Sequence, residues 1–115
     1  MTGSAATANS GAVDQSTGEV RVLLYHRTSD TDGLTMGYRE VSRRLAGVPG
    51  QLGNELMRNV HDPDVFVVSS RWSSLAAFDA WEQGADHRES TADLRPYRDV
   101  ANGMPFGVFV VVGTH

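Results

Sequence analysis

Apolar and polar positions change rhythm six times along this chain, and each change predicts an element. From Glu19 to Arg27, Val20, Val22 and Leu24 alternate with Arg21, Leu23 and Tyr25, a β-branched and aromatic pattern that predicts a strand carrying His26 near its far end. Ser29 to Gly33 is a loop able to cap a helix, and Leu34, Tyr38, Val41 and Leu45 then recur at helical spacing. Gly47 stops that helix and Val48-Pro49-Gly50 turns the chain. Gln51 to Asn59 reads as a second strand, with Leu52 and Leu56 sharing a face with Asn54 while Gly53, Glu55 and Met57 take the other. His61-Asp62-Pro63-Asp64 supplies a hairpin loop, and Val65 to Val68 begin a third strand ending at Arg71-Trp72, antiparallel to the second. Ser73 and Ser74 are N-cap residues for a second helix, in which Leu75, Phe78, Trp81 and Ala85 share a face and which ends near Gly84. Asp86 to Leu94 predicts a short helical segment interrupted by Pro96, and Phe106 to Val112 reads as a buried strand.

The order strand, helix, strand, strand, helix, strand is the ferredoxin-like βαββαβ arrangement, an α+β fold with one antiparallel sheet and both helices on one face. The last strand is apolar on both sides, Phe106, Val108, Val110 and Val112 against Phe109 and Val111, and the first and third are partly so. One face of a single chain would stay wet. Covering it is worth on the order of 10 kcal/mol before association entropy, which predicts a homodimer packed sheet to sheet; a loop from Pro96 to Pro105 folding over the face is the alternative.

Composition narrows the function. The chain has 115 residues, one domain's worth, of which Met1 to Gly18 are nearly all small and polar and are expected to form a flexible N-terminal arm ahead of the domain at 19–115. The arm lacks the basic start and apolar run of an export signal, and no stretch approaches the roughly 20 apolar residues of a membrane span, so a cytoplasmic protein with no membrane partner is expected. Cys is absent and all 10 basic residues are Arg, which removes disulfides, thiolate chemistry and lysine Schiff bases. A net charge of -4 with scattered Arg gives no stripe for nucleic acid. No phosphate-binding Gly-rich loop stands at a strand-to-helix junction, and the His61-Asp62-Pro63-Asp64 turn needs no metal.

Trp72, Phe78 and Trp81 form a W-x5-F-x2-W pattern after the third strand, followed by a turn containing His87. With Val48-Pro49-Gly50 ahead of a strand, this ordered set resembles the antibiotic biosynthesis monooxygenase family over Glu19 to Val112. The resemblance implies a dimeric α+β barrel. It also implies one of several activities: oxidation of anthrone-type or hydroquinone-type polyketides without metal or flavin, oxidation of small quinols, or haem binding and degradation. Fold alone does not choose among them.

Oxygenation without a cofactor requires an aromatic, dry cavity, a base for a phenolic or activated C–H proton, and groups that stabilise the resulting anion. Trp72, Trp81, Phe78 and Met57 are the expected walls. Trp72 matches a site Trp of the anthrone-oxidising members and is a candidate indole donor, with a packing role at the start of the second helix as the alternative. Those members resemble one another in an Asn where this chain has Val68 and a Tyr where it has Phe78. The vacant proton-handling roles pass to His26 and His87 as candidate bases. Arg71 and Arg88 are candidate anion stabilisers, and Tyr25, Asn59 and Tyr97 candidate hydrogen-bond donors. The axial His of the haem branch is similar in position to Thr91, a poor haem ligand. The expected function is a monooxygenase-type tailoring enzyme with no cofactor and no metal, acting with O2 on an aromatic polyketide or related phenolic or quinol metabolite. The alternative is a non-oxidative polyketide cyclase or a non-catalytic dimeric binding module.

Overall fold

The computed structural model describes residues 18–84, 87–101 and 103–115, without the side chains of His87 and Arg88. Of the expected arm, only Gly18 falls within the described residues. The element order is β1 (Val20–Arg27), α1 (Thr31–Leu45), β2 (Gln51–Arg58), β3 (Val65–Trp72), α2 (Leu75–Glu82), α3 (His87–Ser90), a 3-10 helix (Ala92–Tyr97) and β4 (Phe106–Val110). One antiparallel sheet runs β2-β3-β1-β4, with β1 central and paired to both β3 and β4. This is the ferredoxin-like fold that the hydrophobic rhythm predicts.

Local chemistry explains where most elements begin and end. Asp30 caps α1 by accepting from Gly33 N at 2.9 Å, so the helix starts at Thr31 and takes in residues expected in the preceding loop. Gly33 is needed there because a Cβ would come within 2.5 Å of the Tyr97 hydroxyl. Gly47 ends the helix at φ 88°. Gly50, at φ 85°, also brings the chain against α2, where a Cβ would lie 2.4 Å from that of Ala77. Ser74, not Ser73, caps α2 through Ala77 N; Ser73 N instead donates to Gly50 O at 2.8 Å.

Three sequence expectations need correction. A bulge between Gln51 and Gly53 leaves Leu52 46% exposed, so it does not share the inward face of Asn54 and Leu56. Pro96 lies inside the 3-10 helix and does not interrupt it, because the bonds Leu94 N to Thr91 O and Arg98 N to Arg95 O bypass the proline nitrogen. The last strand ends at Val110 and is an edge strand rather than a buried one, with Val108 39% and Phe109 46% exposed.

The core sits between the sheet and the helices. Strand alternation sends Val20, Val22, Leu24 and His26 of β1, and Phe66, Val68, Ser70 and Trp72 of β3, to the helical side. There they meet Leu34, Val41 and Leu45 of α1, Phe78 of α2 and Leu94. Tyr38 of α1 donates to the Asn54 side-chain carbonyl at 2.6 Å, tying the helix to β2. Across α1, the Arg44 guanidinium reaches the Glu89 carbonyl at 3.1 Å and Asp93 at 3.5 Å, holding the 87–97 segment over one end of the sheet.

Candidate active site

Between β1 and that segment lies a pocket of about 150 Å³. Val22, Leu24 and His26 form its floor, Phe78 and Trp81 one wall, and Thr91 and Leu94 the opposite wall. Phe106, Glu82 and Arg98 complete it. A space of that size holds about one aromatic ring, the volume at which an apolar cavity accepts benzene. A larger ligand would place one ring inside and leave the rest at the mouth.

His26 is the buried titratable group of the lining. It is 3% exposed, and its Nδ1 has no hydrogen-bond partner among the described residues. Burial pushes its pKa down to about 4 from an ordinary 6.5; the nearby Arg98 charge acts in the same direction, while the Leu24 main chain and Asp99 act against it. The imidazole is therefore neutral at pH 7. A buried ring nitrogen without a partner on a neutral imidazole is a hydrogen-bond site that a ligand can complete.

Trp72 lies behind the wall. It is 1% exposed, and its indole N–H donates to Ser70 Oγ at 3.0 Å, so the expected substrate-facing donor is already engaged inside the core. Its ring supports the wall at 5.6 Å from Phe78 and 5.3 Å from Trp81, centroid to centroid. Val68 and Phe78 are 4% exposed and carry no polar group to replace the missing Asn and Tyr.

The other sequence candidates do not meet at this pocket. Arg71 and Met57 point to the opposite face of the sheet, where Arg71 is 3.7 Å from Glu19 and Met57 is 43% exposed. Tyr25 also faces that side and borders an open groove with Asn59 and Phe109. Asn59 uses its side-chain carbonyl to accept from His61 N and Asp62 N, which makes it a turn residue. Tyr97 packs against the core beneath α1. His87 and Arg88 have side chains outside the described residues.

Sequence reasoning missed Glu82, Leu94, Arg98 and Phe106 as pocket residues. Glu82 was within reach, since it follows Phe78 by one helical turn. Arg98 had no local signal: it comes to His26 through a main-chain bridge between β1 and the residue after the 3-10 helix. Thr91, at the position of the haem branch's axial His, accepts from Arg95 at 3.0 Å. A hydroxyl there is a poor haem ligand, and His87, one helical turn earlier and the residue able to substitute for it, has its side chain outside the described residues. Among the described residues, no three His, Asp or Glu side chains gather as a metal site, and Asp62 pairs with Arg27.

Comparison with known proteins agrees with this architecture. Two curated Streptomyces proteins are similar in sequence. One is protein SchA of Streptomyces halstedii, 31% identical over 71 residues, which cover 62% of this chain and 19% of SchA. The other is the 42.8 kDa protein in the whiE locus of Streptomyces coelicolor, 30% identical over 57 residues, which cover 50% of this chain and 14% of that protein. The chain thus spans less than a fifth of the length of either relative. Among solved structures, SnoaB, a cofactor-independent oxygenase from Streptomyces nogalater, superposes with a TM-score of 0.69 at 17% identity, covering 84% of this chain and 96% of SnoaB. A conserved protein from Methanosarcina mazei superposes at 0.66 with 11% identity, covering 84% and 95%. At such identities the structural likeness establishes the fold. The family model described as antibiotic biosynthesis monooxygenase matches residues 20–92, and the chain belongs to that family.

Proposed function

We propose that this protein is a homodimeric, cytoplasmic tailoring enzyme that oxidises an aromatic polyketide, or a related phenolic or quinol metabolite, with O2 and no bound cofactor. The observation that carries this reading is the neutral His26, whose buried Nδ1 has no partner among the described residues, at the floor of an aromatic-walled pocket. An aromatic ring seated against Phe78 and Trp81 would bring a hydroxyl or an activated methylene to His26. As the substrate loses its proton, the imidazolium forms beside the new anion, and the pair forms more readily than a lone buried cation would. The electron-rich anion reduces O2 by one electron. The two radicals join in a C–O bond, the resulting peroxide takes the proton back from the His26 imidazolium, and the hydroperoxide loses water to leave a carbonyl. A methylene and O2 thus yield a carbonyl and water, with both oxygen atoms accounted for.

The similarity to SnoaB, named as a cofactor-independent oxygenase, and to a protein of the whiE locus supports the reading. Purified protein supplied with a dihydroxyanthrone, O2 and a metal chelator is expected to consume O2 and release the anthraquinone above the spontaneous rate. Tight binding of the anthrone with no added O2 uptake would overturn it. That outcome would favour a non-oxidative cyclase or binding module, a second reading that the apolar Val68 and Phe78 and the engaged Trp72 N–H support.

The homodimer rests on the sheet's outer face. Leu23, Tyr25, Val65 and Val67 are only partly buried there, and Met57 and Phe109 are 43% and 46% exposed. This is the kind of contiguous apolar surface that soluble chains cover by association. Light scattering is expected to report a two-chain particle. The double substitution Met57→Glu, Phe109→Glu should convert it to single chains, because it would bury unpaired carboxylates on both edge strands of the contact. A wild-type chain that stays single at micromolar concentration would rule out this assembly.

A further inference from the structure

Arg98 differs from arginines elsewhere in the fold. Arg27 pairs with Asp62 and Asp99, and Arg44 with Glu40 and Asp93. Arg98 is an exposed residue of the pocket lining, and its guanidinium has no carboxylate or hydrogen-bond partner among the described residues. Its main chain is fixed on both sides: Arg98 N donates to Arg95 O at 3.3 Å, and Asp99 N donates to Tyr25 O at 2.9 Å. The bridge between Arg98 and His26 sets the root of the side chain beside the imidazole. Glu82, on α2, is the other charged residue of the lining and is likewise without a partner among the described residues. The pocket therefore has a polarity, with a cation on the side of the 3-10 helix and an anion on the side of α2.

We propose that Arg98 is a specificity-determining residue that pairs with a carboxylate on the substrate, so that the preferred substrates are hydroxylated aromatic acids. This deepens the oxygenase reading and rests on it. The pocket holds about one ring, so a fused aromatic inserted end-on leaves its substituents at the mouth. An acid group there would meet the planar, permanently charged guanidinium, which carboxylates engage with two parallel hydrogen bonds. Glu82 repels the same group and would accept from a phenolic hydroxyl instead. Together the two charges orient the ring system: acid toward Arg98, hydroxyl toward Glu82. Neutral aromatics gain nothing from Arg98 and are expected to bind more weakly.

The test compares anthraquinone-2-carboxylate with anthraquinone-2-carboxamide, which share one ring system and differ in charge. Binding is read from quenching of tryptophan emission, since Trp81 lines the pocket and Trp72 stacks behind it. Wild-type protein is expected to bind the carboxylate about 10-fold more tightly, an advantage that shrinks with added salt. Arg98→Gln should abolish the preference by weakening carboxylate binding about 10-fold, so that the two ligands bind alike. Arg98→Lys should restore part of it, a rescue that a merely structural role for the guanidinium would not give. Equal affinity of wild type for the two ligands, or a preference that survives Arg98→Gln, would overturn the proposal for Arg98 while leaving the pocket as the aromatic site. Failure of both ligands to quench would overturn the reading of the pocket itself, and the proposal with it.

Discussion

Replacing His26 with Gln is expected to lower the rate of O2-dependent quinone formation by about 10²–10⁴-fold, the usual contribution of a positioned general base. Gln preserves hydrogen bonding and approximate size but cannot take a proton, so the substitution separates basicity from shape. Binding of a non-reacting anthraquinone should change little. The pH profile carries a second signature. With the His26 pKa held near 4 by burial, the free enzyme keeps its neutral imidazole through the range in which an ordinary His would titrate. kcat/KM should therefore show no acid limb near 6.5 and should fall only as the pH approaches about 4. A His26→Gln enzyme of wild-type activity would remove the imidazole from the mechanism.

The same burial ties stability to pH. In the unfolded chain the imidazole binds a proton below about 6.5, whereas in the folded chain it resists protonation until about 4. Between those values the unfolded state holds more protons, so stability is complete above about 6.5 and is lost as the pH falls toward 4. The full loss is on the order of 3 kcal/mol. Urea unfolding at fixed protein concentration should show this slope in wild type, and a shallower one in His26→Gln.

Trp72→Ala is the second large effect, expected to cost about 3–5 kcal/mol. The indole is 1% exposed, touches both Phe78 and Trp81, and satisfies a Ser70 hydroxyl that is itself buried. Removing it leaves a cavity behind the pocket wall and an unpaired polar atom. Trp72→Phe divides the two causes. The ring remains and the cavity shrinks, while Ser70 still loses its donor, at a cost of about 1–3 kcal/mol. Because the indole N–H faces Ser70 rather than the pocket, Trp72→Phe should keep kcat close to wild type. A folded Trp72→Phe protein with strongly reduced kcat and unchanged stability would instead show that the indole reaches the substrate. Both unfolding series need one protein concentration throughout, since association shifts apparent stability.

The sequence by itself determined the order of elements, the antiparallel pairing of β2 with β3 and the capping of α2 by a serine, because periodicity, capping and turn chemistry depend on neighbours a few residues apart. It also held a clue that the site assignment did not use. Adjacent residues on a strand point to opposite faces, so Arg71 cannot share a pocket with Trp72, nor Tyr25 with His26. The family resemblance likewise rested on short local motifs and reached the fold and the aromatic wall of Phe78 and Trp81. Only the tertiary structure decided which polar groups converge. The bulge exposing Leu52 and the bridge that carries Arg98 to His26 both depend on contacts between segments that no local pattern joins. Packing sets those contacts, and no local pattern encodes the path of the chain that makes them.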